Sequence, residues 1–310
     1  MKKLSGKTVI VTGGAGFIGS NLVERVSLSN KVHIIDNLHT GSLSNISDTP
    51  RRMKVRFIKD SAKNIAKHSI IADTIFHLGF PSASPMYRNN PSLVGEVVDA
   101  MVNVLEYARK HDANLVFSST SSIYNGIKPP HREDAIPLVT DYYTEARIAS
   151  ERLSELYTKL YGINVAAMRF FSVYGRHEEA KGKYANLVTQ FIWNMEKGRR
   201  PVVYGDGSQR RDFIHVDDVC DALILATSVK GFAVLNVGYG RNYSLNELVV
   251  RLNSAMGLKI KPKYIKMPVK NYVAETLADT SKANRTIGFQ AKIGLDEGIR
   301  KCLGSGPSKK

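Results

Sequence analysis

Two rhythms of apolar and polar positions alternate along the first half of the chain. Short apolar, β-branched runs recur at 7–13 (KTVIVTG), 32–36 (VHIID), 55–60 (VRFIKD), 74–79 (TIFHLG), 114–119 (NLVFSS) and 164–171 (NVAAMRFF). Longer stretches at 16–29, 92–111 and 144–162 instead place apolar residues at helical spacing. The last of these closes on Gly162, the residue type that most readily ends a helix in the left-handed conformation. Strands that are apolar without strict alternation must be covered on both faces, as in a parallel sheet between two helical layers.

Crossovers between parallel strands are right-handed, so the economical topology is a doubly wound, Rossmann-like α/β sheet. After about residue 170 the rhythm loosens. Polar, glycine-bearing loops appear at 175–185 (GRHEEAKGKYA) and 203–212 (VYGDGSQRRD), the kind of segment that carries ligand contacts. The pattern predicts a first domain over 1–168. Residues 169–310 are expected to form mainly a smaller C-terminal α/β lobe for substrate, with the chain partly returning to the first domain.

Composition narrows the function classes. No apolar run approaches the roughly 18 residues a membrane-spanning helix needs. The opening MKKLSGKTVIVTGG enters a strand and a glycine turn at once rather than an apolar leader, so a cytoplasmic location is expected. Cys220 and Cys302 have neither metal-ligand spacing nor a disulfide framework, and are expected to be reduced thiols without a chemical role. The net charge of +16 raises the question of nucleic acid. The basic residues are nevertheless dispersed, and no helix-turn-helix, zinc-finger or RNA-recognition signature accompanies them. A basic surface that draws in small polyanions, such as nucleotide diphosphates, accounts for the same charge. Neither a nucleic-acid nor a membrane partner is expected.

The turn VIVTGGAGFIGSNLV places Gly13, Gly16 and Gly19 between a strand and a helix. Glycine there permits a tight turn, lets backbone N–H groups approach a pyrophosphate, and allows the helix to pack closely on the strand. The second strand ends in Asp36, roughly 20 residues on, where a carboxylate accepts hydrogen bonds from an adenosine ribose. The same carboxylate repels a 2′-phosphate, and no arginine directly follows it in DNLHTG, so NAD is favoured over NADP.

Within 141–157 (DYYTEARIASERLSELY), Tyr143 and Arg147 stand four residues apart and share a helical face. A free phenol has a pKa near 10, so a tyrosine base at neutral pH needs a cation held beside it in a water-poor site.

Taken together, TGGAGFIG, IIDNL, LVFSSTSSIYN, DYYTEARIASE, MRFFSVYG and YGDGSQRRDFIHVDDV resemble the extended short-chain dehydrogenase/reductase family. Within it, the nucleotide-sugar epimerases are most similar, the UDP-glucose (UDP-galactose) 4-epimerase group above all. The likeness runs from Lys7 to about Ile299. It implies that Tyr143 is the acid/base, that Arg147 takes the place of the family lysine, and that Thr120 hydrogen-bonds the reacting hydroxyl. It implies a cofactor site from Gly13, Gly16, Phe17, Ile18, Gly19, Asp36 and Asn37, with Asp60 and Ser61 near the adenine, Leu78 and Gly79 passing along the cofactor, and Tyr143 and Arg147 also contacting it. For the substrate it implies Ser172, Asn186, Leu187 and Arg211, with Lys270 as a second phosphate contact. It also implies a homodimer formed through the helices at about 92–111 and 144–161.

Several positions depart from the family pattern. Arginine replaces lysine at 147, and its planar fork is not equivalent to an ammonium. Ser172 stands where the 4-epimerases usually have asparagine, Val97 replaces a frequent asparagine, and Tyr272 occupies a place commonly held by aspartate. Ser121 and Ser122 lie where the sugar dehydratases carry an Asp-Glu pair, which leaves epimerisation ahead of dehydration. Other clusters read as structural: HVDD (215–218) as a strand end with an aspartate cap, RHEE (176–179) as a solvated loop, and His77 as a strand-end histidine. No metal site is expected. Tyr124 is left open between packing and approaching the sugar.

Overall fold

The computed structural model describes residues 4–47, 54–267 and 272–304. Its largest sheet is built from β1 (Thr8–Thr12), β2 (Lys31–Asp36), β3 (Val55–Lys59), β4 (Thr74–His77), β5 (Asn114–Thr120) and β6 (Val165–Phe170). Three short or central strands of the second half follow: β7 (Ser172–Tyr174), β8 (Val202–Tyr204) and β9 (Arg210–His215). Then come β10 (Phe232–Val237), β11 (Asn242–Ser244) and β12 (Lys263–Ile265). The large sheet has seven parallel strands in the order β10-β6-β5-β4-β1-β2-β3. This is the Rossmann-like doubly wound α/β fold.

The helices are α1 (Phe17–Val26), α2 (Ser84–Asn89), α3 (Leu93–His111), α4 (Tyr142–Tyr161) and α5 (Leu187–Glu196), then α6 (Val216–Ala226), α7 (Leu245–Met256), α8 (Ser281–Ile287) and α9 (Leu295–Gly304). The unbroken apolar strands explain why the sheet is covered twice. Val9 and Val11 of β1 enter one core with residues of α1, α6 and α8, while Ile10 enters another with residues of α3. β10 and α6 come from the second half of the chain, and they complete the sheet edge beside β6 and the helical layer beside α1. A third core, around Tyr174, Phe191, Phe213, Leu248 and Ile299, holds α5, α7 and α9 together.

α4 begins two residues before the stretch at 144–162 marked by its periodicity, because Asp141 caps it: the Asp141 carboxylate accepts from Thr144 N at 2.9 Å. Gly162 ends it in the left-handed conformation, φ 72°, as its residue type predicts.

Strand order reverses between β1 and β4, so the crevice at their carboxyl ends is where this topology places ligands. Thr12, the last residue of β1, pairs there with His77 of β4. Among the described residues no helix is long and apolar enough to cross a membrane.

Candidate active site

A cavity of about 600 Å³ opens over that crevice. Every residue expected at the cofactor lines it: Gly13, Gly16, Phe17, Ile18, Gly19, Asp36, Asn37, Asp60, Ser61, Leu78, Gly79, Tyr143 and Arg147. Thr120, Ser172 and Asn186 line it as well. These residues come from eight separate parts of the chain, gathered by the parallel sheet.

The glycine turn is built as a close approach. Gly13 has φ +69°, and a Cβ there would lie 2.7 Å from Gly79 Cα, so neither backbone leaves room for a side chain. A Cβ on Gly19 would lie 2.0 Å from Gly13 O, which is how α1 starts so close to β1. α1 has no side-chain cap at Gly16 and no acidic residue in its first turn, so its free N–H groups suit an anion. Asp36 is buried, and its carboxylate accepts from Ala15 N at 2.9 Å and Leu38 N at 2.7 Å. That grip holds Leu38 at φ +62° and fixes the carboxylate on the cavity wall. Asp60 Oδ1 accepts from Ser61 N and Asn64 Nδ2, both at 2.7 Å; the Asn64 bond leads the interactions that hold its carboxyl below the usual range.

The Tyr143 end is organised by a buried cation. Arg147 is 2% exposed and donates from Nη2 to Pro81 O at 3.0 Å, while its Nε and Nη1 are buried without a partner. The guanidinium carbon stands 4.1 Å from the Phe80 ring centroid and 5.1 Å from that of Tyr143. A planar cation is suited to such stacking. Two orphaned donors in a water-poor wall are costly unless a ligand receives them. Burial, with Arg147 nearby as a lesser cause, lowers the pKa of His77 to about 3. His77 Nδ1 lies 2.6 Å from Thr12 Oγ1, consistent with a structural strand-end histidine. Thr120 caps the short 3-10 turn Ser121–Tyr124, its Oγ1 accepting from Ser122 N at 3.1 Å, which leaves its own hydroxyl proton to donate.

Other expected positions fall elsewhere. Leu187 and Arg211 do not line the cavity; Leu187 instead packs against the third core. Arg211 is buried, with Nη2 donating to Val273 O at 2.6 Å and Nη1 to Arg210 O at 2.8 Å, and Tyr272 stacks on it at 5.1 Å. The Tyr272 ring is thus engaged by the arginine. Lys270 lies outside the described residues. Tyr124 packs: its hydroxyl donates to Asn236 Oδ1 at 2.7 Å and accepts from Arg169 Nη1 at 2.8 Å, and it does not line the cavity. Val97 is a core residue.

Two structural readings need correction. The cap of α6 is His215, which accepts from Asp217 N, and not an aspartate. The RHEE loop is not simply solvated: Glu178 is buried, and Arg176 pairs with Glu24 of α1. Sequence reasoning also passed over Lys181, a cation on the cavity wall. Its signal was its place in the glycine-bearing loop 175–185. Among the described residues, no group of three or more His, Cys, Asp or Glu is placed to hold a metal ion. Cys220 and Cys302 are unbridged, and burial pushes both thiols up to about 12.

With this geometry in place, residues 9–238 match the model of the NAD dependent epimerase/dehydratase family. The chain belongs to that family. This epimerase/dehydratase is 33% identical over 310 residues to a Methanocaldococcus jannaschii protein named "Putative UDP-glucose 4-epimerase", with 95% of this chain and 97% of that one covered. It is 29% identical over 311 residues to a UDP-glucuronate 4-epimerase of Thermodesulfobacterium geofontis, covering 95% and 94%. Its fold is similar to that of a UDP-N-acetylglucosamine 4-epimerase from Methanobrevibacter ruminantium, with TM-score 0.91, 29% identity, and 97% and 98% of the two chains covered. The cofactor of the epimerase/dehydratase is NAD. The residues present fit it: a glycine cradle that any Cβ would fill, an uncapped helix end, a carboxylate at the end of β2, and unpartnered guanidinium donors at the far end.

Proposed function

We propose that the protein inverts the configuration at C4 of a UDP-hexose, interconverting UDP-galactose and UDP-glucose through a transient 4-keto sugar. The observation that carries this reading is the joint presence of Thr120, Tyr143 and the buried, partly unpartnered Arg147 on the wall of the cavity that begins at the glycine turn. The names of the relatives support a UDP sugar and position 4. NAD, when bound, supplies a reversible hydride acceptor. Thr120 donates its hydroxyl proton to orient the reacting sugar oxygen. Tyr143 removes the proton from that oxygen and later returns it. Arg147 offers its free donors to ligand hydroxyls and keeps a positive charge beside Tyr143.

Ser121 and Ser122 provide no acid/base pair, so elimination of water is not supported. Ser172 and Asn186 hold the sugar nucleotide, with Leu187 supporting the start of α5. Arg211 serves a diphosphate only by exchanging its bonds to the 273–274 backbone, and Lys270 adds a second phosphate contact. A homodimer joined through α3 and α4 belongs to the same reading; Leu156, Leu160 and Tyr161 on α4 are exposed.

The test is to incubate the purified protein with NAD and UDP-galactose and to quantify UDP-glucose, with Tyr143→Phe as control. Conversion by the wild type alone supports the proposal. Silence on UDP-galactose with conversion of UDP-glucuronate or UDP-N-acetylglucosamine moves the substrate, and silence on all three moves the reading to a dinucleotide-binding protein without turnover.

A further inference from the structure

The loop after β7 crosses from the third core to α1. Ser20 Oγ and His177 Nδ1 are 2.9 Å apart, Asn21 Nδ2 donates to Arg176 O at 3.1 Å, and Arg176 pairs with Glu24. Positions 20 and 24 lie one turn apart on α1 and position 21 is next to the first, so the loop is fastened along the helix that begins at the glycine turn. Glu178 then turns inward, with a fully buried side chain. Its carboxylate accepts from Lys181 Nζ at 2.9 Å, from Asn186 N at 3.0 Å, and from the Thr189 hydroxyl. Lys181 is thereby held with Nζ 5.0 Å from the ring centroid of Phe17, the first residue of α1, and it lines the cavity.

Among the described residues lining the cavity, the permanent cations are Arg147 and Lys181. Arg147 stands at the Tyr143 end, stacked on Phe80 and Tyr143. Lys181 stands at the glycine turn, where the free N–H groups of α1 carry only about half a unit of positive charge. A dinucleotide diphosphate brings two negative charges to that turn. An ammonium has three donors, so Lys181 keeps its bond to Glu178 and still has N–H groups for a phosphate oxygen.

We propose that Lys181 is a cofactor-positioning residue: held by Glu178, its ammonium meets the dinucleotide diphosphate at the glycine turn. The substrate side of the molecule thus supplies one wall of the cofactor site, through a loop already fastened to α1. The inference rests on NAD as the ligand of this cavity and goes beyond it by assigning the diphosphate a cation that the glycine turn lacks.

The experiment is calorimetric titration of the full chain with NAD and, separately, with adenosine, which has no phosphate. Wild type, Lys181→Met, Lys181→Arg and the double variant Lys181→Met/Glu178→Gln are compared at low and physiological ionic strength. Lys181→Met is expected to weaken NAD by about tenfold, leave adenosine unchanged and flatten the salt dependence of NAD binding, because one screened contact is gone. Lys181→Arg is expected to restore most of the affinity. The double variant leaves no buried charge unpaired and is expected to repeat the Lys181→Met result, so that misfolding cannot produce it. NAD affinity within twofold of wild type, or equal losses for NAD and adenosine in the double variant, would overturn the proposal. If the wild type fails to bind NAD, the cofactor assignment itself falls, and the proposal with it.

Discussion

Glu151 of α4 and Arg169 of β6 form a buried, two-pronged ion pair directly behind the cavity. Arg169 Nε donates to Oε1 at 2.9 Å and Nη2 to Oε2 at 2.7 Å, and both side chains are nearly inaccessible. Ser119 Oγ donates to the same Oε1 at 2.6 Å. Ser119 precedes Thr120, and Glu151 lies one turn beyond Arg147 on the same helix. The pair ties β6 to the helix carrying Tyr143, and the Ser119 bond adds the strand carrying Thr120. Replacing Glu151 by Gln leaves Arg169 buried without its counter-charge, and should cost about 3 kcal/mol, read as a lower urea midpoint. A midpoint equal to that of the wild type would mean the pair contributes little to the fold.

Arg147 makes the opposite prediction. Its Nε and Nη1 are buried and unpartnered in the chain itself. Arg147→Met keeps much of the stem and removes the charge, so the ligand-free protein should gain about 1–3 kcal/mol while losing turnover. Denaturant unfolding without NAD checks the first half, and the UDP-sugar assay the second. A variant both less stable and inactive would show that the stacking on Phe80 and Tyr143 outweighs the orphaned donors.

His77 gives a pH dependence with a definite sign. Its pKa in the fold is about 3, against about 6.5 for an unfolded histidine. Between those values the unfolded chain binds more protons, so this group makes stability rise with pH across the window and fall as the pH drops below about 6.5. The slope is at most about 1.4 kcal/mol per pH unit. His77→Asn removes this proton uptake while retaining an acceptor for Thr12. Relative to wild type, the variant should gain stability on going from about pH 7 to about pH 5. A difference unchanged by pH would count against a neutral, buried His77.

Gly13→Ala tests the cradle. The substituted residue would sit at φ +69° with its Cβ 2.7 Å from Gly79 Cα. The left-handed conformation alone costs about 1–2 kcal/mol, and the contact forces β1 and β4 apart at the crevice. NAD binding should be lost before the fold is, so a calorimetric titration should be silent while the circular dichroism spectrum stays intact. Retained NAD affinity would mean that the turn has more slack than this close approach implies.

Local chemistry wrote much of this protein directly into its sequence. The apolar runs at 7–13, 32–36, 55–60, 74–79, 114–119 and 164–171 became β1 to β6, because a strand buried on both faces has one recognisable composition. Gly13, Gly16 and Gly19 marked their turn because few other residues accept its conformation and contacts. Asp36, Thr120 and Tyr143 were legible through their spacing within those elements and the family resemblance. Tertiary structure decided the rest, wherever a side chain's partner lies far away in sequence. Arg147 stacks on Phe80, Arg211 is engaged by the 273–274 carbonyls, Tyr124 turns into the core, and a loop that reads as solvated fastens itself to α1. A long polar side chain reaches several neighbours with little difference in intrinsic energy, so burial and the available donors and acceptors choose among them. Those are set only once the sheet has brought distant segments together.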